Sequence, residues 1–334
     1  MKKHAFYLVL AFIVIGLVLS GCQRDRGDGR VVLRLGAMNP AEDLSVQAME
    51  RMARAAYEKS GGTLQIQVFP AGQLGASALV QLEAVSMGTQ DMVIDTSSWI
   101  GTFYRDKQVD GIFFAFRDRA HYSAYLNSPL NLQMEEGFRR ATGIRVIGRN
   151  WYRLPRSFVS RTPFDADTFQ GMMVRVPDIP GFLQSVAAMG GNPTMLAWTE
   201  IYLGLMQGVV DAAEGPFEAL YTNRFHEAVD YITLTHHMWD NMLVFINDGV
   251  WNRLSPEHRQ ILLDVSHEAG EWYSAQLLDL YESIIQAFRN AGATVIDDID
   301  VRPFQERVGR RALEIEAAGT MWRSGLWQEI QNIH

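Results

Sequence analysis

Leu64-Gln65-Ile66-Gln67-Val68 alternates apolar and polar positions strictly, the period of a strand with one buried face. Val31 to Leu35 is a second short β-rich run. Between them the spacing changes to that of a helix. Asp43 or Ser45 can cap it, Val46, Met49, Ala53, Ala56 and Tyr57 form its apolar face, and Gly61-Gly62 ends it. A helical stretch from Ala78 to Met87 is stopped by Gly88, and Met92-Val93-Ile94 reads as a third strand. Strand–helix–strand–helix–strand predicts a largely parallel α/β sheet. Farther along, Ile144 to Ile147, Met173 to Val176, Val209-Val210 and Phe245-Ile246 read as strands. Phe182 to Met189 and Glu200 to Met206 read as helices, and no internal repeat is visible.

One helix is predicted to be unusually long. Ser255 suits the N-cap, Pro256 the first turn and Glu257 the positive helix end. Apolar residues then recur at Ile261, Val265, Trp272, Leu280, Ile284 and Phe288 before Gly292. Some 35 residues at ~1.5 Å each span about 50 Å, more than one small domain's diameter, so such a helix crosses between two lobes. Gly270 marks a bend or a break into two helices.

The opening residues have a different pattern. Lys2 and Lys3 precede an apolar run from Ala5 to Leu19, which falls short of the ~20 residues a membrane span needs. A charged front, apolar middle and small-residue end read as a secretory signal peptide over residues 1–21. Leu19-Ser20-Gly21-Cys22 resembles a bacterial lipobox, which implies a diacylglycerol on the thiol of Cys22 and a lipid anchor to a membrane. Cys22 is the single cysteine, so no internal disulfide is expected. Residues 22–30 are polar and read as a lipidated tether.

Composition narrows the function. The chain has 334 residues, 48% hydrophobic and 20% charged, with a formal charge of −8. Removing residues 1–21, which hold two lysines and no acid, moves that charge to −10. An acidic chain argues against a nucleic-acid partner, and any anion must be recognised by local arginines. About 310 remaining residues suggest two lobes. His236-His237 would face opposite ways on a strand, and no metal-ligand cluster, nucleophile elbow or phosphate loop is present. No cofactor, metal or catalytic residue is therefore expected. Asp211 with Glu214 as a hydrolase's carboxylate pair is the weaker alternative.

Five segments, in order, resemble the solute-binding proteins of tripartite ATP-independent periplasmic (TRAP) transporters, the DctP type. They are Glu58-Lys59-Ser60-Gly61-Gly62-Thr63-Leu64, Phe69-Pro70-Ala71-Gly72-Gln73-Leu74-Gly75, Gly88-Thr89-Gln90-Asp91-Met92, Gly171-Met172-Met173-Val174-Arg175-Val176-Pro177, and the run from Glu200 to Asp211. The resemblance implies an α/β, two-lobed periplasmic-binding-protein-like fold with a long helix spanning both lobes. The approximate division is 31–152 with 240–280 as lobe I, and 153–239 with 281–334 as lobe II. It further implies a protein outside the cytoplasm that captures a small organic acid and delivers it to a small and a large membrane subunit. A module that senses the same ligand for a signalling receptor is the alternative.

Arg175 matches the family arginine that grips the solute carboxylate. Its planar fork suits a carboxylate, and on a strand it faces opposite to Val174 and Val176. From pattern alone, a structural ion pair is an equal reading. The resemblance implies a second ligand arginine at Arg156, with Arg153 as the alternative. Trp151 and Trp198 are candidate ring walls, with a place in the core as the competing role. Where the family usually has an asparagine, this chain has Gly215, which leaves space for solute bulk. Asn39, Thr96, Trp239 and Asn241 lie on segments that line the family's cleft. A sugar acid is the favoured solute, with aromatic and keto acids left open.

Overall fold

The structure is a computed structural model, described for residues 30–334; the expected signal peptide, Cys22 and the tether up to residue 29 lie outside the described residues. Eleven strands build two mixed sheets among those residues. They are β1 (Val31–Gly36), β2 (Leu64–Phe69), β3 (Met92–Thr96), β4 (Ile144–Tyr152), β5 (Arg156–Ser160), β6 (Met173–Val176), β7 (Asn192–Met195), β8 (Ala212–Pro216), β9 (Tyr231–Met238), β10 (Asn241–Asn247) and β11 (Thr294–Ile296). The first sheet has the order β2-β1-β3-β10-β4 and the second β11-β9-β5-β8-β6-β7.

The first three strands pair parallel as expected, but both sheets are mixed. β1 runs parallel to β2 and β3, but β10 enters antiparallel between β3 and β4. The reason is the path of the chain. It leaves the first sheet between Tyr152 and Arg156, builds most of the second, and returns between Met238 and Asn241. The returning strand fills the first sheet from the opposite direction. Two crossovers three and two residues long therefore join the lobes.

Local signals hold the elements in place. Asp43 caps Leu44–Lys59 by accepting from the backbone N–H of Ser45, and Val46, Met49, Met52, Ala53 and Ala56 form its buried face. Val209-Val210 does not form a strand. Gly208 adopts a positive φ after the helix Ile201–Met206, and the N–H groups of Val209 and Val210 both return to the Gly204 carbonyl. The strand begins two residues later, at Ala212.

The long helix runs unbroken from Pro256 to Asn290, capped by the Ser255 hydroxyl. It packs on β4 and Leu44–Lys59 in one lobe and on Phe217–Thr222 and β11 in the other. Gly270 is neither a break nor the end of a helix. It lets the helix lie against the end of β4, just before the first crossover: a Cβ there would sit 2.6 Å from Asn150 Oδ1 and 2.6 Å from Trp151 Cδ1. Around that contact Trp151 donates to Ser266 O (3.0 Å), Asn150 to His267 O (2.9 Å), and Tyr152 N–H to Ser274 Oγ (2.8 Å).

Gly270→Ala tests this close approach. Alanine adds about 1 kcal/mol of helix propensity. Forcing the helix away from fully buried Trp151 costs about 1–3 kcal/mol. The variant is expected to be less stable in denaturant titration; equal or greater stability would contradict the packing role.

Candidate functional site

Parallel strands from both sheets end at one place. The residues at or just after the C-terminal ends of β1, β3, β6 and β7, with Pro216 at the end of β8, line a cavity of ≈ 290 Å³ between the lobes. Ligands of open α/β sheets bind at such strand ends, because the loops there are free to vary. Leu44–Lys59 and Ala78–Met87 also begin at this cavity, so two positive helix ends face it.

Three arginines line the cavity: Arg153, Arg156 and Arg175. Arg156 is already paired. Its Nε and Nη2 grip the two oxygens of Glu214 at 2.6 and 2.8 Å, and its Nη1 donates to Asp240 at 3.0 Å. Burial pushes the Glu214 carboxyl up, but Arg156 and His237 outweigh it and hold it at about 2. Burial lowers His237 to about 4 against the pull of Glu214, so its ring is neutral at pH 7. Arg153 donates to Glu218 at 2.8 Å, and Tyr273 on the long helix donates to the same oxygen at 3.2 Å.

Arg175 differs from both. It is 3% exposed, and no protein carboxylate among the described residues lies within ion-pair distance. Val174 and Val176 point into the hydrophobic core, which leaves Arg175 on the cavity side of β6. Its Nε and Nη2 donate to the Leu196 carbonyl at 3.0 and 2.8 Å. Those two bonds fix the plane of the guanidinium. The remaining Nη2 hydrogen and Nη1 form a fork with no partner among the described residues. Burial lowers its pKa to about 10, so it stays charged at pH 7 despite lacking a counter-ion. The site can therefore accept an anion, and a carboxylate matches the fork.

Trp198 stands over Arg175, with the guanidinium carbon 5.5 Å from the ring centroid. Its indole N–H donates to Asn223 at 3.1 Å, which sets the ring's direction. Gly215 does not leave room for a solute. A Cβ there would meet Trp198 at 3.0 Å and Leu220 at 2.9 Å, so the indole already fills that space.

Asn39 and Thr96 line the cavity, where Asn39 donates to Ser45 (3.2 Å) and Thr96 to Asp240 (2.6 Å). Trp151 is not a ring wall: it is fully buried against the long helix and absent from the lining. Asn241 is also away from the cavity, buried between the Tyr122 hydroxyl and the Arg149 carbonyl. Trp239 packs against the core from the second crossover and does not line it. Asp95, Ser45 and Phe182 do line it and were not anticipated. Asp95 carried a readable signal, a carboxylate directly after the apolar run Met92-Val93-Ile94.

A family model described as "Bacterial extracellular solute-binding protein, family 7" (DctP) matches residues 35–317. The 2,3-diketo-L-gulonate-binding periplasmic protein YiaO of Escherichia coli is 26% identical over 287 residues, 85% of this chain and 86% of that protein. A TRAP periplasmic solute-binding protein from Ochrobacterium anthropi, solved with bound L-fuconate, superposes with a TM-score of 0.84 at 22% identity, covering 90% of this chain and 98% of the other. One from Actinobacillus succinogenes, with bound L-galactonate, has a TM-score of 0.83 at 25% identity over 90% and 98%.

Gly215→Asn tests the packing of the wall. The new side chain has to displace Trp198 or Leu220, and overpacking of this kind costs about 1–3 kcal/mol. Thermal unfolding should show the loss, and Trp198→Ala in the same chain should recover part of it. A Gly215→Asn protein as stable as the wild type would contradict the assigned packing.

Proposed function

Because this chain belongs to the bacterial extracellular solute-binding proteins of family 7, we propose that it holds a small organic acid by its carboxylate on Arg175 and delivers it to the membrane subunits of a TRAP transporter. The observation that carries this reading is the buried guanidinium whose two-pronged edge meets no carboxylate among the described residues. Removing a charge from water without a partner is costly, so the site is incomplete until an anion enters. Arg156 and Arg153, each neutralised by acidic side chains, shape the cavity wall rather than supply a second fork.

The cycle follows from the same geometry. In the open form water solvates Arg175. The carboxylate replaces that water, the lobes close through the two crossovers and the long helix, and the local dielectric falls. Charged hydrogen bonds strengthen as water leaves, so the bound solute favours the closed form. No covalent step is needed. A sugar acid suits a cavity of ≈ 290 Å³ with an arginine on one wall and Asn39, Thr96 and Asp95 on the other. The L-fuconate and L-galactonate bound by similar structures support that class. Periplasmic placement accords with the family, and attachment through Cys22 rests on the lipobox-like Leu19-Ser20-Gly21-Cys22.

Two experiments test this reading. Calorimetric titration with a panel of sugar acids should find a ligand whose affinity falls roughly a hundredfold or more in Arg175→Ala, since breaking a buried charged pair typically costs about 3–5 kcal/mol. Arg175→Lys should recover part of that, because an ammonium keeps the charge and loses the fork. Binding within threefold of wild type in folded Arg175→Ala would remove Arg175 from the role of anchor. For the membrane link, Cys22→Ser should move the protein from the detergent phase to the aqueous phase and eliminate the lipid from its intact mass. Unchanged partitioning would count against the anchor.

A further inference from the structure

Asp95 faces the same cavity as Arg175 from the opposite lobe. It is the fourth of the five residues of β3, whose C-terminal end opens on the cleft. One oxygen, Oδ1, accepts from the backbone N–H of Thr96 at 2.8 Å and from the Trp99 indole at 3.1 Å. These two donors fix the direction of the carboxylate. Its other oxygen, Oδ2, receives no hydrogen bond from a described residue, and no arginine makes an ion pair with it. The cleft thus carries an unpaired cation on one wall and, across from it, a carboxylate oxygen with no described hydrogen-bond partner; Asp178 and Glu200 also line the cavity, from the side of Arg175, and both are exposed.

We propose that Asp95 sets the chemical class of the solute: its free oxygen accepts a hydroxyl of the bound acid and repels a second carboxylate, so the cleft selects hydroxylated monocarboxylates over dicarboxylates. The proposal rests on the reading of Arg175 as the carboxylate anchor. A solute carboxylate on Arg175 uses the one free fork, because Glu218 already holds Arg153 and Glu214 and Asp240 already hold Arg156. A second carboxylate on the solute would find no spare cation and would meet Asp95. A hydroxyl in the same place is a donor, and a fixed carboxylate oxygen is a strong acceptor.

Asp95 is ionised under ordinary conditions. Burial raises it to about 6, with Asp240 acting in the same direction, while the Thr96 N–H, Arg153 and the Trp99 indole hold it down. At pH 7.5 the negative form dominates. Selection by repulsion needs only that charge and its fixed position.

The test pairs monoacids with diacids of the same carbon chain: galactonate with galactarate, and gluconate with glucarate, together with succinate. Each member of a sugar-acid pair differs only in whether the far carbon is a hydroxymethyl or a carboxylate. Calorimetric titrations at pH 7.5 use the wild type, Asp95→Asn, Asp95→Ser and Arg175→Ala, with circular dichroism to establish that each is folded. In wild type the monoacid of at least one pair should bind roughly a hundredfold or more tighter than its diacid, since placing like charges together in a water-excluded site weakens binding by two or more decades. Asp95→Asn keeps the shape and an acceptor for Trp99 but removes the charge. It should reduce that ratio to less than about tenfold, by weakening the monoacid and strengthening the diacid. Asp95→Ser should do the same if the asparagine disturbs the fold. A wild type that binds a diacid as tightly as its monoacid, or a ratio unchanged within threefold in both Asp95 variants, would overturn the role of Asp95. So would wild-type binding of succinate alone. Failure of the anchor is read separately: if Arg175→Ala binds as the wild type does, Arg175 is not the anchor whatever the ratio. Binding of no sugar acid in the panel overturns the hydroxy-acid class itself.

Discussion

A guanidinium buried without a counter-ion is the constraint on which the rest of this structure depends. The protein neutralises two of its three cleft arginines with its own carboxylates and leaves Arg175 to be completed from outside. Holding an uncompensated charge there requires that everything around it be fixed. The parallel register of β6 with β7 pairs Arg175 with Thr194 and Val176 with Met195, and this brings the Leu196 carbonyl to the guanidinium. Trp198 follows two residues later and covers it. Gly215 on β8 makes the ring's position possible. Three segments distant in sequence are thus adjusted to one charge, and burial lowers its pKa without neutralising it.

The neighbouring arginine shows the opposite solution. The antiparallel register of β5 with β8 sets Phe158 opposite Glu214 and Arg156 opposite Pro216, one strand repeat apart on the same face. Arg156 thereby reaches Glu214 with both prongs. Asp240 arrives from the second crossover and ties in Thr96 from the first lobe. This network joins both lobes at the crossovers, where a charged hydrogen-bond cluster fixes direction better than apolar packing does. Breaking one member would strand the others, so the same chemistry that binds a solute at Arg175 serves as architecture at Arg156.

Periodicity made the outer elements legible. Leu64–Phe69 alternates, the helix Leu44–Lys59 has one apolar face, and the long helix carries its cap and proline in order. The middle of the second sheet hid itself, for a physical reason. β5 is buried at all five positions, yet includes Arg156, Ser157 and Ser160, and β9 buries Thr233, Thr235 and His237. Polar residues satisfied by partners distant in sequence erase the alternation on which strand recognition depends. The cleft followed the same rule. The motif around Arg175 pointed to a cavity residue. Whether an arginine is paired by the protein, as Arg156 is, or left open, as Arg175 is, depends on registers that no linear spacing discloses. Tryptophan type alone likewise could not separate Trp198 in the cleft from Trp151 beneath the long helix.

The balance between open and closed lobes depends on the bonds made directly between them, of which one joins two helices. Asp43 caps its helix with Oδ1 and accepts from the Thr222 hydroxyl of the other lobe with Oδ2, at 2.7 Å. A neutral-donor hydrogen bond to a carboxylate contributes on the order of 1–3 kcal/mol net. That amount does not by itself overcome the separation of an unpaired arginine from water. A solute carboxylate on Arg175 changes the balance, because it turns the cost of desolvating that charge into a strong, water-excluded pair. A ligand shifts a two-state equilibrium only by its differential affinity for the two states. Here nearly all of that difference can come from one fork, provided that the lobes themselves add little. A strong latch would hold the empty form closed and keep the solute out; a weak one lets occupancy decide the conformation.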